Sequence, residues 1–176
     1  FGEIWIVHRL DKETSGIIIF AKNAVAHRDL NGQFQNRMVN KTYCSLVHGI
    51  PDWKTFTFNA NLKINADRKH RTHIKDYGKP SQSDFQKINA NHEIEISMLN
   101  ISPKTGYTHQ IRAHLAFLNF PILGDTLYSP KRFLLPKYLN RLFLHAFSIE
   151  FIHPTHKGRI QLFSPIPACF FEMLNK

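Results

Sequence analysis

The chain has 176 residues and carries 23 Lys and Arg against 13 Asp and Glu, a formal net charge of +10 at pH 7. This length predicts one domain, residues 1–176, that buries enough apolar surface to fold without disulfides or metals. The positive charge favours anionic partners such as the phosphates of a nucleic acid. With no apolar stretch long enough for a membrane helix and no secretory leader, we expect a cytoplasmic protein that does not bind a membrane.

The most informative segment is HRLDKETSG at residues 8–16, which lies between β-prone runs at residues 4–7 and 17–20. These runs predict two buried strands joined by a connection that holds Asp11 from both ends. Reactive side chains usually lie on loops that a sheet carries. Asp, Ser and Gly also form ordinary turns, so a turn without chemistry is the alternative interpretation.

Apolar residues that recur every four positions predict an amphipathic helix over residues 24–38, with Ala26, Leu30, Phe34 and Met38 on its buried face. Alternating apolar residues predict strands elsewhere. These strands cover residues 41–49, 56–64, 93–101, 142–151 and a last one around Ile160 and Leu162, followed by a short C-terminal helix. A basic, Pro-broken connection is expected between Tyr128 and Arg141.

A basic run at residues 68–75 is expected on a loop or short hairpin between strands. Arg68, Lys69 and Arg71 are candidates for contacts with RNA phosphates. A solvated loop without a partner is an equally open interpretation.

A further motif, TGYTHQIRAHLAFL at residues 105–118, predicts a helix capped by Thr108, with Ile111, Leu115 and Leu118 on its apolar face. Arg112 lies about 100° from that face, so we expect it to reach over the helix N-terminus towards a carboxylate. The turn that follows contains Asp125, which we interpret as structural.

Eleven histidines invite a metal hypothesis, but their spacing does not support it. His109 and His114 are five residues apart, and His153 and His156 are three apart. Neither pair has the four-residue helical spacing or the cysteine partners of a usual zinc site. We therefore predict no metal, and the two cysteines in apolar runs predict no disulfide.

Three of these strings resemble the motifs of the RluA family of RNA pseudouridine synthases, in register order. HRLDxxTSGIIIxAK at residue 8 resembles the central motif, and Lys41-x-Tyr43 with Val47-x-Gly49 resembles the second. The string at residue 105 resembles the third, T-G-R-T-H-Q-I-R-x-H-L, with Tyr107 in place of its first arginine. That departure puts the local RNA contact in doubt.

The resemblance implies a single α/β (α+β) catalytic domain on a mixed, mostly antiparallel sheet, with flanking helices and a central cleft. It implies isomerisation of a uridine in structured RNA, a ribosomal or transfer RNA stem-loop, without a cofactor. The implied catalytic residues are Asp11, Tyr43 and Arg112, with Arg9 assisting base flipping. Further substrate contacts would come from His8, Thr14, Tyr107, His109 and Gln110, beside the basic residues Arg68, Lys69 and Arg71. We also expect a monomer.

Two other functions remain open at this stage. A strand tyrosine such as Tyr43 is, without the motif, usually a half-buried core residue. The charge alone fits a non-catalytic RNA-binding module. An Asp-nucleophile glycosidase would need a second carboxyl group, for which Glu13 is the nearby candidate.

Family members normally carry strands before the first motif, whereas seven residues precede His8 here, so we expect either a fragment or a sheet trimmed at one edge.

Overall fold

A computed structural model describes residues 3–130 and 141–176 of the chain. In chain order the elements are β1 (Trp5–Ile6), β2 (Ser15–Gly16), β3 (Phe20–Ala21), α1 (Ala24–Gln35), β4 (Asn40–His48), β5 (Thr55–Lys63), β6 (His73–Ile74), β7 (Lys79–Asn91), β8 (Ile96–Pro103), α2 (Gln110–Phe117), β9 (Leu144–Ile152), β10 (Arg159–Phe163) and α3 (Ala168–Leu174). The basic connection predicted between Tyr128 and Arg141 lies largely outside the described residues.

Eight strands form one sheet in the order β10-β9-β4-β8-β7-β5-β6, and β2 joins β9 as a parallel neighbour. The other pairs of this sheet are antiparallel, and β1 pairs with β3 in a separate two-stranded ribbon. This architecture, with the three helices of the described residues against the strands, confirms the predicted fold class. That residues 1–176 form one catalytic domain stays a prediction.

Two apolar clusters hold the helices in place. The larger joins the centre of the sheet to α2 and α3 through buried side chains such as Leu99, Leu115 and Phe170. The smaller packs α1 and the first residues of the chain on the end of β9, and it includes Leu30 and Ile149. No helix within residues 3–130 and 141–176 is long and apolar enough to cross a membrane.

The prediction of two buried strands around Asp11 is wrong in extent. β1 and β3 have two residues each, and residues 17–19 are not in a strand. Ile6 is 68% exposed and Phe20 44% exposed, although both were expected to be buried. The ladder pairs only Trp5 with Ala21 and Ile6 with Phe20, and a two-stranded ribbon leaves one face uncovered.

Helix α1 ends at Gln35, three residues earlier than predicted. Asn36 is the C-cap, and Arg37 adopts the left-handed conformation that terminates a helix, with φ of 58°. Met38 therefore lies outside the helix and is 57% exposed. The predicted helix was too long because Met38 keeps the four-residue spacing of the apolar residues.

The longest strand, β7, was not predicted, because Pro80 and many polar residues hide its alternation. Strand β8 begins at Ile96 and not at Glu93, since the side chain of Asn91 accepts hydrogen bonds from the backbone N–H groups of Glu93 and Ile94 and forms a turn there. Strand β4 and the C-terminal strands were predicted within two residues of their observed ends.

Candidate active site

Asp11 lies in a turn that β2 anchors to the sheet. The backbone N–H of Thr14 donates to the carbonyl of Asp11 at 2.9 Å, so the turn expected from composition is present. Gly16 has φ of 115°, and a Cβ there would lie 2.3 Å from the carbonyl oxygen of Ala146. Only glycine allows the chain to pass so close to β9. The hydroxyl of Ser15 adds a hydrogen bond of 2.9 Å to the Nδ1 of His145.

His8 ties the start of this segment to its end. Its Nε2 accepts a hydrogen bond of 2.9 Å from the backbone N–H of Ile19, and its ring stacks on Phe34 of α1 at 4.7 Å. Burial, with a smaller contribution from Lys41, lowers the pKa of His8 to about 4. The imidazole is therefore neutral at physiological pH, and it holds the segment as well as lining the cavity described below.

On the opposite side, Arg112 is held rigidly in the first turn of α2. Its side chain is 4% exposed, and its Nε and Nη2 each donate a hydrogen bond of 2.8 Å to the carboxylate of Asp125. Asp125 also accepts from the backbone N–H groups of Leu127 and Tyr128. Burial lowers the pKa of Arg112, but the hydrogen bonds and charge of Asp125 outweigh it, and the net shift is upward.

Arg112 brings the two sides together. Its Nη1 lies 3.6 Å from Oδ2 of Asp11, an ion-pair distance longer than a hydrogen bond, and its Nη2 lies 3.9 Å from Oε2 of Glu13. The Nε2 of His109 lies 4.0 Å from Oδ1 of Asp11. The Asp11 side chain is 17% exposed, so its carboxylate lies in a partly dry setting beside a fixed cation. The sequence predicted that Arg112 reaches a carboxylate, and the family resemblance implied that Arg112 and Asp11 act together; the two side chains lie at an ion-pair distance.

The prediction that Thr108 caps α2 is wrong. The N-cap is His109, which has a left-handed backbone with φ of 55° and makes no side-chain cap. Its Nδ1 lies 3.1 Å from the hydroxyl of Tyr128, and that hydroxyl accepts a hydrogen bond of 2.6 Å from the backbone N–H of Thr72. Burial lowers the pKa of His109, with the Asp11 charge acting in the opposite direction.

Tyr43 reaches the same place from β4. The register between β4 and β9 shifts between Thr42 and Tyr43, an irregularity that re-aims side chains. Burial, and then the charge of Asp11, raises the pKa of Tyr43 to about 12. Its phenol is therefore protonated at neutral pH and is able to donate a hydrogen bond to a bound group.

These side chains line one cavity of about 440 Å³, within the range of small-molecule sites. The catalytic and substrate-binding residues predicted around it from the first and third motifs all line it, as does Tyr43: His8, Arg9, Asp11, Thr14, Tyr107, His109, Gln110 and Arg112. Arg9 is exposed at the cavity. The Oγ1 of Thr14 is buried and has no hydrogen-bond partner among the described residues. A bound polar group could supply that partner.

Gln110 requires a correction, because its side chain is buried and bonds within the protein. Its amide oxygen accepts from the hydroxyl of Thr105 and the N–H of Tyr107, and its amide nitrogen donates to Gln82 and Ser83. It shapes the loop before α2, and a direct contact between its amide and RNA is not consistent with this arrangement. The residue is 3% exposed.

The basic loop is confirmed as a loop, but its three candidate cations differ. Arg68 and Lys69 are exposed, whereas Arg71 forms an ion pair of 2.6 Å with Asp67. His73 adds a second contact to that carboxylate at 3.0 Å. The charge of Arg71 is therefore partly neutralised within the protein.

At Tyr107, where the third motif has an arginine, another cation is near. The Nζ of Lys79 lies 5.7 Å from the centre of the Tyr107 ring, within cation–π range. Lys79 comes from the start of β7, the strand that the sequence did not predict. The positive charge missing from residue 107 is thus partly replaced from another strand.

Sequence reasoning underestimated Asp125 and did not single out Tyr128. Both belong to the G-D-x-x-Y turn after α2, in which only Asp125 was assigned a role, a structural one. Their link to the site is long-range, since Arg112 and His109 lie more than ten residues away, and only the motif itself signals it. Within residues 3–130 and 141–176 no group of three or more His, Cys, Asp or Glu side chains could hold a metal ion.

A family model described as RNA pseudouridylate synthase matches residues 2–117. The chain belongs to this family. It is 36% identical to the ribosomal large subunit pseudouridine synthase C of Vibrio cholerae over 97% of this chain and 54% of that protein. It is 38% identical to the protein of the same name from Buchnera aphidicola, over 97% of this chain and 55% of that protein.

The chain thus spans about half the length of the curated relatives it matches. Among solved structures, human RNA pseudouridylate synthase domain containing 1 superposes with a TM-score of 0.83 at 27% identity, covering 95% of this chain and 73% of that one. Human RNA pseudouridylate synthase domain containing 4 superposes with a TM-score of 0.80 at 21% identity, covering 98% of this chain and 75% of that one. The second of these likenesses supports the fold alone.

Proposed function

We propose that this chain isomerises uridine to pseudouridine in structured RNA, with ribosomal or transfer RNA stem-loops as substrates. The observation that carries the proposal is the carboxylate of Asp11, 3.6 Å from a buried arginine, in a cavity that Tyr43 also lines. In the reaction the bond between N1 and C1′ breaks, and the bond between C5 and C1′ forms. The proton on C5 is lost to solvent, and N1 regains one. The balance requires no cofactor.

Each side chain has a physical role in this proposal. Breaking a glycosidic bond leaves C1′ electron-poor, and the carboxylate of Asp11 supplies the negative charge that it requires. Arg112 supplies a fixed positive charge beside that carboxylate and orients it. Tyr43 offers the detached base a ring face and a hydrogen-bond donor, since its raised pKa keeps the phenol protonated. Arg9, exposed beside Asp11, assists the flipped nucleotide.

The test uses transcripts of ribosomal and transfer RNA that contain uridine tritiated at C5. We expect the wild-type chain to release tritium and form pseudouridine, and Asp11→Asn to lose at least about three orders of magnitude in rate. RNA affinity should change only a few-fold, because an amide replaces a carboxylate of the same shape. Turnover by Asp11→Asn at the wild-type rate would contradict the assignment.

Two controls separate this function from the alternatives. Glu13→Gln changes the neighbouring carboxyl group, which is 49% exposed, and should retain most of the turnover. A glycosidase would instead lose activity in Glu13→Gln and release free uracil, which nucleoside chromatography detects. RNA binding without either product would indicate a non-catalytic binding module.

The basic loop provides a separate test of RNA binding. Replacing Arg68 and Lys69 by Gln together should lower the slope of log affinity against log salt by about 2, since each neutralised phosphate contributes about 0.9. Arg71→Gln should change the slope less, because Asp67 already pairs with Arg71. The salt slopes are measured by fluorescence anisotropy. If Arg71→Gln lowers the slope by about 1, as much as each residue of the Arg68 and Lys69 pair, the ion pair between Arg71 and Asp67 opens on RNA binding.

A further inference from the structure

A second groove adjoins the cavity around Asp11. We call it the flanking groove; it has a volume of about 370 Å³ and is lined by Asn59, Asn61 and Gln82 from β5 and β7. Arg37 and Lys104 line both the flanking groove and the cavity. An RNA strand bound in the cavity can therefore continue into the groove without leaving the protein surface.

Arg37 is the free cation at this junction. It is exposed, and its guanidinium makes no hydrogen bond or ion pair with residues of the described ranges 3–130 and 141–176. Lys104 differs, because its Nζ lies 3.1 Å from Asp84 and its side chain is 53% exposed. Arg37 is therefore the residue of the two that meets an incoming anion without first losing a partner.

The groove has the chemistry of a polynucleotide site and not of an apolar ligand site. Asn59 is exposed, and no hydrogen bond of its amide is formed within the described residues. The amides of Asn61 and Gln82 donate to the carbonyl of Asp76 and to Asp84. Amide side chains bind base edges and 2′-hydroxyl groups, and a guanidinium binds phosphate in a two-point geometry.

We propose that Arg37 binds a backbone phosphate of the RNA where the strand leaves the cavity, and that the flanking groove holds the nucleotides beside the target uridine. This inference rests on the proposed function, since it places an RNA strand in the cavity. It adds a contact from Arg37, a residue that belongs neither to the basic loop nor to the three family motifs.

The backbone of Arg37 offers a way to separate its charge from its place in the fold. Its φ of 58° is left-handed, and its N–H donates to the carbonyl of Phe34. Asn119 ends α2 in the same manner, with φ of 64° and an N–H bonded to Ala116. Glycine favours this conformation over arginine. Arg37→Gly therefore removes the charge and relieves the backbone, Arg37→Gln removes only the charge, and Asn119→Gly relieves only the backbone.

The experiment measures the affinity of these variants for a fluorescein-labelled stem-loop RNA with single-stranded uridine flanks, and for the same stem-loop without flanks. For the flanked RNA, we expect Arg37→Gly and Arg37→Gln to weaken binding about three- to ten-fold and to lower the salt slope by about 1. Arg37→Lys should retain most of the slope. Arg37→Gly should also melt about 2–4 °C higher than wild type, which shows that the loss of binding is not a loss of folding.

Arg28→Gln is the charge control, because Arg28 is an exposed arginine of α1 that lines neither the cavity nor the groove. Equal effects of Arg28→Gln and Arg37→Gln, an unchanged slope in Arg37→Gly, equal effects on both RNAs, or no RNA binding by the wild type would each overturn the inference. Tritium release with no effect of Arg37 would leave the proposed function intact. The expected binding effects without tritium release would support the inference and contradict isomerisation.

Discussion

The two sides of the candidate active site are held in different ways. Arg112 is 4% exposed and is clamped by two hydrogen bonds of 2.8 Å to Asp125. Asp11 lies on a turn between strands of two residues, on a segment whose outer residues Ile6 and Phe20 are exposed. The longer distance of 3.6 Å between them is consistent with a fixed cation facing a more adaptable carboxylate. Four predictions test this difference.

The largest effect is expected when the fixed side loses its cation. Arg112→Met leaves the carboxylate of Asp125, which has no solvent exposure, without its partner. Breaking a buried ion pair costs about 3–5 kcal/mol, so the free energy of unfolding should fall by that amount in urea titrations. Tritium release should fall at least about 100-fold. A variant as stable as the wild type would mean that Asp125 is not held by Arg112 in solution.

Asp125→Asn should have a smaller effect of the same kind. The amide keeps the shape and one acceptor oxygen but removes the charge that fixes Arg112, and hydrogen bonds to charged groups contribute about 1.5–3 kcal/mol. Because Asp125 acts through Arg112, we expect kcat to fall more than RNA affinity. A loss of affinity with unchanged kcat would instead place Asp125 in RNA binding. Asp29→Asn is the matched control, because the carboxylate of Asp29 on α1 pairs with Lys157 and lines neither the cavity nor the flanking groove.

Gly16→Ala tests the adaptable side. The new methyl would lie 2.3 Å from the carbonyl oxygen of Ala146, so β2 must move away from β9. A strained backbone of this kind costs about 1–3 kcal/mol. Because the Asp11 segment can shift locally, we expect a clear loss in the rate of tritium release and only a small loss in the free energy of global unfolding. Gly32→Ala, in α1 with open space where its Cβ would lie, is the control: it should leave activity unchanged and raise the free energy of unfolding by about 0.5–1 kcal/mol. Equal loss of stability in Gly16→Ala and Arg112→Met would show that both sides unfold as one unit.

The smallest effect concerns two neutral histidines, one on each side. Burial lowers the pKa of His114 to about 4, between the hydroxyls of Ser81 and Ser83. The unfolded chain binds a proton near pH 6.5 and the folded chain only near pH 4, so stability is present above pH 6.5 and is lost as pH falls towards 4. Between pH 7 and 5.5 the free energy of unfolding should fall by about 1 kcal/mol because of His114. His114→Gln should remove this part of the pH dependence.

His8, on the Asp11 side, has its pKa lowered to about 4 as well. If its segment opens locally, protonation of His8 proceeds without global unfolding. His8→Gln should then change the pH dependence of the unfolding free energy less than His114→Gln does. Urea titrations at the two pH values decide the matter, and a larger effect of His8→Gln would reverse the order of rigidity proposed for the two sides.

Local sequence patterns were enough for much of the frame. Strand β4 and the C-terminal strands follow from alternation, because one face of each is buried against the sheet core and the period of two survives in the residues. The motif strings named the family, and they brought Asp11, Tyr43 and Arg112 forward as a set. Strand β7 escaped this reasoning, since it is held by pairing with β5 and β8 and not by its own apolar pattern.

The sequence by itself determined the fold class and the family, and it brought forward many of the side chains around the cavity. Only the tertiary structure decided that Asp125 clamps Arg112, that Gln110 is used within the protein, that Asp67 neutralises Arg71 and that Arg37 joins the cavity to a second groove. Periodicity and motif spacing report the burial and chemistry of neighbours in the chain. The partner of a buried charge is set by strands and turns that meet only after folding, and no local pattern records which of several carboxylates or cations will lie within reach.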